Sequence, residues 1–486
     1  MQLTLANLIP FLPTAITSLS AVLVILALAI RRSQRACSLI GTAGLAAAIA
    51  SILLMGGLSD HWQPTPIGNQ FLIDRTANLF MVLILVSAFA CLVLAHRFMK
   101  GYAGNREELI PLLLICTAGA LTLVCSNHFA AMVVGLELMS IPLFALVAYH
   151  RERAQSLESG VKYLVLSSAA SAMLLMGVAF IYSSTGSMDF AALSKPLPTG
   201  MPSLPVSLGI GMLLVALAFK LSLAPFHLWT PDVYQGAPAP VAAFLASVSK
   251  LAVMAIVMRL VSALAGAPTP WLYESLVVVA LLSVIGGNLL AMRQDNLKRL
   301  LACSSIAHMG YVLTALAAGG VAANETLLVY IVTYLATTLG IFGVLSVRSS
   351  AANSTDTDRL SDYRGLGRQQ PALGAIMAVM VLSLAGIPLT AGFIGKLFIF
   401  INGVGAQEWL LVGAVIVGSL MGLTYYLKVL VGLYLPVPAE QTTEFTEVKP
   451  YLLILLGAVA FLVVWLGTYP QPILELAHAL SPTLPR

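Results

Sequence analysis

Five lysines lie inside stretches of the sequence that are otherwise apolar: Lys162, Lys220, Lys250, Lys396 and Lys428. Arg259 is the single arginine in such a stretch, although the remaining sequence holds fifteen arginines and four lysines. A buried lysine can lose its proton, whereas an arginine stays charged under any realistic condition. The bias therefore favours bases that titrate, and it indicates proton transfer through an apolar medium.

Lys220 ends an apolar run that begins at Val206, and Pro225 and His227 follow it closely. An ammonium group at membrane depth is costly unless it is solvated or paired. Pro225 should interrupt the helix, because proline lacks a backbone donor. Interrupted helices are tolerated inside a membrane only where they line a cavity or are buried in protein. We interpret residues 219–234 as the centre of a proton or cation path.

Glu137 is the one acidic residue in the middle of an apolar span, because the other nineteen lie in loops, at span ends or in the tail. The following span carries Lys162, so we expect the two side chains to pair. The pair would either fix helix packing or act as a switch, in which Glu137 holds a proton on the lysine when close and releases it on separating. Lys162 alternatively extends its ammonium group to the membrane interface.

Two histidines, His227 and His308, also lie in or beside apolar spans. Either they are core histidines with satisfied hydrogen bonds, or they relay protons between lysines, for which a reference pKa of about 6.5 is suited. Lys428 and Arg259 lie near span ends, and we interpret them as interfacial anchors.

The composition identifies a membrane protein. The chain has 486 residues, of which 59% are hydrophobic and 9% charged, whereas roughly 25% are charged in soluble domains. Its basic residues are spread over short loops, so the net charge of +5 does not indicate nucleic-acid binding. The five cysteines are widely spaced without a CxxC pair, which argues against a metal site or a disulfide framework.

The pattern of apolar spans predicts an all-α polytopic membrane protein with about 14 transmembrane helices. Two spans are interrupted, one near Pro225 and one at 386–388 within the long stretch 372–402. Paired interrupted segments are typical of inverted repeats with a site at their interface. We predict two inverted five-helix repeats, each containing a broken helix, because an odd number of spans turns the second copy upside down.

This pattern divides the chain into four parts: helices 1–3 in residues 1–100, repeat 1 with helices 4–8 in 101–265, inverted repeat 2 with helices 9–13 in 266–436, and helix 14 with a short tail in 437–486. Alternate connections hold 16 basic residues, whereas the other side holds Arg75, Lys195 and Arg486. The excess of basic residues marks the cytoplasmic side, so we expect both termini on the periplasmic side.

Several segments resemble subunit N of bacterial NADH:quinone oxidoreductase (respiratory complex I), a family of antiporter-like membrane subunits. The resemblance covers nearly the whole chain and is carried by Gly160-Val161-Lys162-Tyr163-Leu164, the stretch from Phe219 to Val241, Asn296-Leu297-Lys298-Arg299-Leu300, Ser304-Ser305-Ile306-Ala307-His308 and the stretch from Leu384 to Lys396.

The resemblance implies a proton-translocating membrane-arm subunit that is driven by electron transfer elsewhere in the complex. It assigns Glu137 and Lys162 to an ion pair, Lys220 and Lys250 to central lysines and Lys396 to a far lysine, with His227 and His308 on the polar axis. NADH, FMN, iron–sulfur clusters and quinone would belong to partner subunits, with no cofactor in this chain. The implied partners are other membrane-arm subunits, including antiporter-like ones, a peripheral NADH-oxidising arm and the lipid of the bacterial inner membrane.

Two alternatives remain. The chain could be a subunit of a multisubunit cation/proton antiporter, but one carboxylate within the spans is few for Na⁺, a hard cation that prefers several oxygen ligands. It could instead be a structural subunit without its own proton path. Five lysines within apolar spans argue against that alternative.

Overall fold

The computed structural model describes residues 8–59, 61–100, 102, 104–193, 204–264, 270–319, 321–349, 357–436 and 448–480. Helices dominate these residues, and eleven of them are long and apolar enough to cross a membrane. The chain is thus a multi-pass membrane protein with the helical fold expected from its sequence. The predicted number of 14 spans stays a prediction, because the further apolar helices among the described residues have only 10–17 residues.

The N-terminal part contains three long helices and a small hairpin that the sequence pattern did not predict. A 3-10 turn at Ile9–Phe11 leads into α1 (Leu12–Ile30), and α2 (Gln34–Leu54) and α3 (Arg75–Phe98) follow. Strands β1 (Thr65–Ile67) and β2 (Phe71–Ile73) pair antiparallel, with Thr65 opposite Ile73. Asp74 then begins α3 by accepting a hydrogen bond from the backbone N–H of Ala77.

The next group comprises α4 (Leu109–Val124), α5 (Phe129–Val147), α6 (Ala154–Thr185), α7 (Leu204–Lys220), α8 (Trp229–Gly236) and α9 (Ala239–Leu264), with a 3-10 turn at Phe190–Leu193 between α6 and α7. One stretch of α9 departs from α-helical geometry. A π-turn at Leu245–Ser249 immediately precedes Lys250. Such turns are rare in proteins, and those that occur are frequently found at functional sites.

The second group comprises α10 (Pro270–Met292), α11 (Leu297–Ala318), α12 (Val321–Arg348), α13 (Pro371–Ala385), α14 (Ala391–Gly405) and α15 (Trp409–Tyr434). A 3-10 turn at Leu360–Tyr363 and a one-turn helix at Leu366–Gln369 precede α13. The C-terminal part holds α16 (Pro450–Thr468) and α17 (Gln471–Leu480).

Both predicted interruptions are present. The first helix ends at Lys220, and the chain turns at Ser222, which adopts a left-handed φ of 64°. Pro225 follows and lacks the backbone donor that would continue the helix. The second ends at Ala385, where Gly386 adopts a left-handed φ of 81°. Each break places a lysine beside exposed backbone groups, Lys220 before the first break and Lys396 after the second.

Helix packing places the polar residues at the centre. The apolar windows of α9 and α11 are fully buried and that of α12 nearly so, whereas α1, α6, α10 and α16 expose most of theirs. Helix α4 packs extensively on α5. The pair α10 and α11, which holds the corresponding positions in the second group, also packs extensively. The lysine of α9, the histidine of α11 and the tyrosines of α12 therefore lie in the interior.

Candidate proton path

Lys220 lies in a cradle of hydroxyl groups. Its side chain is 5% exposed, and its Nζ donates hydrogen bonds to Ser140 Oγ at 2.7 Å and Ser167 Oγ at 2.8 Å. These serines belong to α5 and α6, so three helices meet at the ammonium group. Among the described residues, no carboxylate lies within salt-bridge distance of this nitrogen, and hydroxyl groups satisfy it instead.

Glu137 lies one helical turn away from this cradle. Its Oε1 accepts a hydrogen bond of 2.6 Å from Ser171 Oγ. Glu137 precedes Ser140 by three residues on α5, and Ser171 follows Ser167 by four residues on α6, so each pair shares one helix face. The carboxylate and the Lys220 ammonium therefore lie in neighbouring layers of one site, one helical turn apart.

The predicted pair between Glu137 and Lys162 is wrong in this structure, in which both residues are described. Lys162 is 44% exposed and forms salt bridges with Glu158 at 2.6 Å and Asp232 at 2.9 Å. The α6 residue that contacts Glu137 is Ser171. Ser171 is nine residues after Lys162 on the same helix, which corresponds to about 13 Å of helix rise. A lysine side chain cannot cover that distance, although α5 and α6 do pack together as expected.

Asp232 is the centre of a polar cluster at one end of α8. One carboxylate oxygen accepts from Lys162, and the other accepts from Arg299 Nη1 at 2.6 Å. Arg299 also donates to Gln235 Oε1 at 3.0 Å. This cluster ties α8 to α6 and α11. It lies beside the connections around Arg151 and Arg293, on the side where the sequence predicts the cytoplasm.

Lys250 is 4% exposed and donates a short hydrogen bond to Ser305 Oγ on α11. The same serine oxygen lies 2.6 Å from the hydroxyl of Tyr334 on α12. A cavity of about 10 Å³ borders Lys250 and Tyr334, which is close to the smallest volume that holds one water molecule. The α9 lysine is thus connected to both neighbouring central helices.

His308 is buried among tyrosines. Its Nδ1 lies 2.6 Å from the Tyr330 hydroxyl, its Nε2 lies 3.1 Å from the Tyr426 hydroxyl, and its ring centre is 5.3 Å from that of Tyr334. Tyr426 also bonds Ser304, the neighbour of the serine that holds Lys250. Imidazole and phenol groups can each accept and donate a proton, so the histidine fits the predicted relay position.

Lys396 is 8% exposed, and its Nζ donates to the carbonyl of Ala385 at 2.9 Å, the last residue before the second break. The same nitrogen lies 5.4 Å above the ring centre of Tyr311, a cation–π distance. Tyr311 accepts a hydrogen bond of 3.3 Å from Asn288, and Asn288 accepts one of 3.0 Å from Tyr425. Polar side chains therefore connect the surroundings of His308 with Lys396.

His227 lies apart from this network. It occupies the break between α7 and α8, is half-buried and has a buried Nδ1 without a hydrogen-bond partner. None of the hydrogen bonds given by the described residues joins its side chain to Lys220, Lys250 or His308. Its predicted relay role is therefore not supported by direct contact within this chain.

Two other basic residues depart from their sequence interpretation. Lys298 was counted among the basic residues of the connections. In the structure α11 begins at Leu297, and Asn296 caps its start. Lys298 is fully buried, and its Nζ donates a hydrogen bond to Ala237 O at 2.9 Å. Arg259 is a buried partner of Asp74, with 3.0 Å between nitrogen and oxygen, rather than an interfacial anchor. Lys428, by contrast, is half-exposed and pairs with Asp295 at 3.0 Å.

The tyrosines were missed by sequence reasoning, because a tyrosine within an apolar span is more often a packing residue. Their spacing carried a usable signal: Tyr330 and Tyr334 are four residues apart and share a helix face, as do Ser304 and His308. The arrangement brings hydroxyl, amine and imidazole groups, each of which can accept and donate a proton, close to one another in the interior. Among the described residues, no group of three or more His, Cys, Asp or Glu side chains could hold a metal ion.

Comparisons with known proteins agree with this arrangement. Residues 126–422 match the family described as NADH:quinone oxidoreductase/Mrp antiporter, transmembrane. Similar curated proteins include NADH-quinone oxidoreductase subunit N of Ectopseudomonas mendocina, 47% identical over 484 residues, and the subunit of the same name from Acinetobacter baumannii, 45% identical over 487 residues. Each alignment covers 98% of this chain and 97% of the relative.

Solved structures give the same result. A chain of respiratory complex I from Thermus thermophilus is 34% identical, with a TM-score of 0.82 over 95% of this chain and 98% of that one. A chain of the Mrp complex from Dietzia has a TM-score of 0.86 over 99% and 98% of the two chains, and at 20% identity it shows a shared fold only. The resemblance to subunit N is confirmed, and the chain belongs to the NADH:quinone oxidoreductase/Mrp antiporter transmembrane family.

Proposed function

We propose that this chain is a proton-translocating membrane-arm subunit of an NADH:quinone oxidoreductase. It moves protons through Glu137, Lys220, Lys250, His308 and Lys396, while the redox chemistry takes place in partner subunits. The observation that carries the proposal is a series of buried polar groups between Lys250 and Lys396. Hydrogen bonds join Lys250 to Ser305 and Ser305 to Tyr334, a second set joins His308 to Tyr330 and Tyr426, and Lys396 lies over the ring of Tyr311.

Coupled proton transfer requires that the proton affinity of a lysine responds to its surroundings. Lys220 sits among hydroxyls one turn from Glu137, and a single pKa unit corresponds to about 1.4 kcal/mol. Moving one charge across 100 mV costs about 2.3 kcal/mol. A change of roughly two pKa units when Glu137 and Lys220 approach or separate would match that cost, so Glu137 and Lys220 are the pair in which we place the switch.

The proposed partners are other membrane-arm subunits, including antiporter-like ones, and a peripheral NADH-oxidising arm that holds FMN and iron–sulfur clusters. We place the chain in the bacterial inner membrane with both termini on the periplasmic side, because alternate connections of the sequence hold 16 basic residues and the others hold three. The four-part division into residues 1–100, 101–265, 266–436 and 437–486 is retained as part of the proposal, supported by the equivalent packing of α4 on α5 and α10 on α11.

The test uses inside-out membrane vesicles that contain the assembled complex. NADH-driven acidification of the vesicle interior is measured for the parent and for Lys250→Met, with quinone reduction normalised to assembled complex. We expect both signals to fall severely in Lys250→Met. Undiminished acidification at normal assembly would overturn the proposed path.

A purification experiment separates this function from that of an independent transporter. Under mild detergent the chain should co-purify with other hydrophobic subunits and with NADH-oxidising activity. Na⁺-driven proton movement by the isolated chain in liposomes would instead support the cation/proton antiporter alternative.

A further inference from the structure

An open cavity of about 620 Å³ lies on the side that we assign to the cytoplasm. Its lining includes Arg153, Asp358 and Asp362 from the connecting segments, Gln155 from α6 and Gln235 from α8. Burial raises the pKa of the Asp362 carboxyl above its usual range. The cavity wall therefore combines titratable carboxyl groups with open access to the medium.

Tyr234 directly precedes Gln235, which lines the cavity, and it lies behind the cavity wall in the interior. Its side chain is fully buried, and its ring packs edge-on against Phe342 with 5.9 Å between centres. The hydroxyl points towards Ser305 but makes no hydrogen bond of normal geometry there. Buried hydroxyl groups are nearly always paired, so an unpaired one at this position calls for a functional explanation.

Ser305 has the capacity to receive this hydroxyl. A serine oxygen can accept two hydrogen bonds and donate one. The ammonium form of Lys250 donates to Ser305, and the Tyr334 hydroxyl lies 2.6 Å away, where either oxygen can be the donor. When Ser305 donates to Tyr334, one acceptor position remains for Tyr234. When Lys250 is a neutral amine, the serine proton turns to it and Tyr334 becomes a donor, so Ser305 can still accept from Tyr234.

We propose that Tyr234 is a proton-relay residue that connects the Gln235-lined cavity with Lys250 through Ser305. This inference rests on the proposed function. In one transfer, Tyr234 gives its hydroxyl proton to Ser305 and takes one from the cavity side. Ser305 passes its own hydroxyl proton to the neutral amine of Lys250, so one proton moves inward and both hydroxyl groups end unchanged.

The charged and titratable groups around this segment come from each helix that packs on α8. Asp232 lies on α8 with Tyr234 itself, Lys162 and Tyr163 on α6, Lys250 on α9, Lys298 and Arg299 on α11, and Tyr334 on α12. Tyr234 is the α8 residue whose hydroxyl faces Ser305, the serine that holds Lys250.

The test is Tyr234→Phe, which removes one oxygen atom and keeps the ring against Phe342. Positioned proton-transfer groups commonly contribute roughly 10²–10⁴-fold. Because water can partly replace a hydroxyl, we expect NADH-driven acidification and coupled quinone reduction to fall by at least about tenfold, at normal assembly. In inside-out vesicles the activity should recover as the pH of the medium is lowered, since proton uptake has become limiting.

Tyr363→Phe is the matched control. Tyr363 is also fully buried, but its hydroxyl donates to Thr357 O in a connecting segment, so its loss should leave the pH profile unchanged. If Lys250→Met abolishes acidification while Tyr234→Phe keeps the parent rate and pH profile, the relay inference fails and the proposed function stands. If Lys250→Met is itself fully active, the proposed function fails. Loss of rate in Tyr234→Phe without recovery at lower pH would also overturn the relay, because it would indicate a structural role.

Discussion

At the scale of single residues, the partners of Lys220 decide what the lysine can do. Ser140 and Ser167 can accept hydrogen bonds from the ammonium form or donate one to the neutral amine. A carboxylate in direct contact would stabilise only the charged form. The hydroxyl cradle therefore permits both protonation states of the lysine at a buried position.

This view gives a prediction for Lys220→Arg. Arginine keeps the positive charge but cannot release a proton under working conditions. We expect coupled proton pumping, measured per assembled complex, to fall nearly as far in Lys220→Arg as in Lys220→Met. An arginine variant with parent activity would show that only the charge is required.

A second prediction concerns Glu137, now assigned to Lys220 rather than to Lys162. Glu137→Gln keeps the volume and a hydrogen bond with Ser171, so assembly should be preserved while activity falls, because the carboxylate no longer modulates the lysine. Glu158→Gln is the matched control, since that carboxylate contacts the exposed Lys162 and should be nearly neutral. Equal activities of the two variants would contradict the assignment.

Sequence reasoning found the buried bases Lys220, Lys250 and Lys396 because a lysine within an apolar run is conspicuous. It chose the wrong partner for Glu137, because adjacency of two spans does not specify which heights along the helices come into contact. Lys298 was missed for a simpler reason: the helix begins one residue before it, and the Asn296 cap that marks this start was not used.

At the scale of elements, the second break shapes the surroundings of Lys396. Gly386 has a φ of 81°, and a Cβ atom there would approach Lys396 Cδ to 2.8 Å. Gly386→Ala would thus add left-handed strain of about 1–2 kcal/mol and displace the lysine from Ala385 O. We expect a clear loss of coupled activity, beyond what the lower stability explains.

Gly319→Ala is the control for this prediction. Gly319 also has a positive φ, 68°, but a Cβ there meets open space. It should cost similar stability in thermal unfolding and leave activity per folded complex unchanged. If both variants lose activity to the same extent, contact with Lys396 is not the cause.

Both interruptions could be predicted from Pro225 and the Gly386–Pro388 stretch, because these residues remove donors or permit left-handed backbone. The exact end at Lys220 could not, because the chain turns at the left-handed φ of 64° of Ser222, a residue type that does not announce such a backbone. The hairpin at residues 65–73 was missed because three-residue strands are too short to show a period.

At the scale of the whole molecule, the ion pair of Asp74 and Arg259 joins the N-terminal helices to the first group. Both side chains are less than 10% exposed and lie 3.0 Å apart. Removing one partner of a buried ion pair commonly lowers the free energy of unfolding by roughly 3–5 kcal/mol, because the other charge remains buried and unpaired. Arg259→Met alone should therefore lower the thermal stability of the complex strongly.

The double variant Asp74→Asn with Arg259→Met tests this interpretation. With both charges gone, it should recover much of the stability lost in Arg259→Met. Thermal denaturation of the purified complex provides the measurement. A double variant that is less stable than Arg259→Met would show that the two losses are independent.

The fold class followed from composition and apolar length, and the paired interruptions followed from the positions of Pro225 and Pro388, all of which depend little on three-dimensional contacts. The route of the protons did not follow, because it depends on which faces of α9, α11 and α12 meet. Tyr330, Tyr334 and Tyr426 become functional candidates only when those three faces are known to surround His308.

The π-turn ahead of Lys250 also makes α9 a potential rotary element. Such a turn holds one residue more than an α-helical turn, so converting it to α-helix would rotate the following residues by about 100° about the helix axis. Lys250 would swing away from Ser305, and the part of α9 that follows it would repack against its neighbours, because this helix is fully buried. Rotation of α9 about its own axis would then move the Lys250 ammonium, with its proton, from one set of hydrogen-bond partners to another.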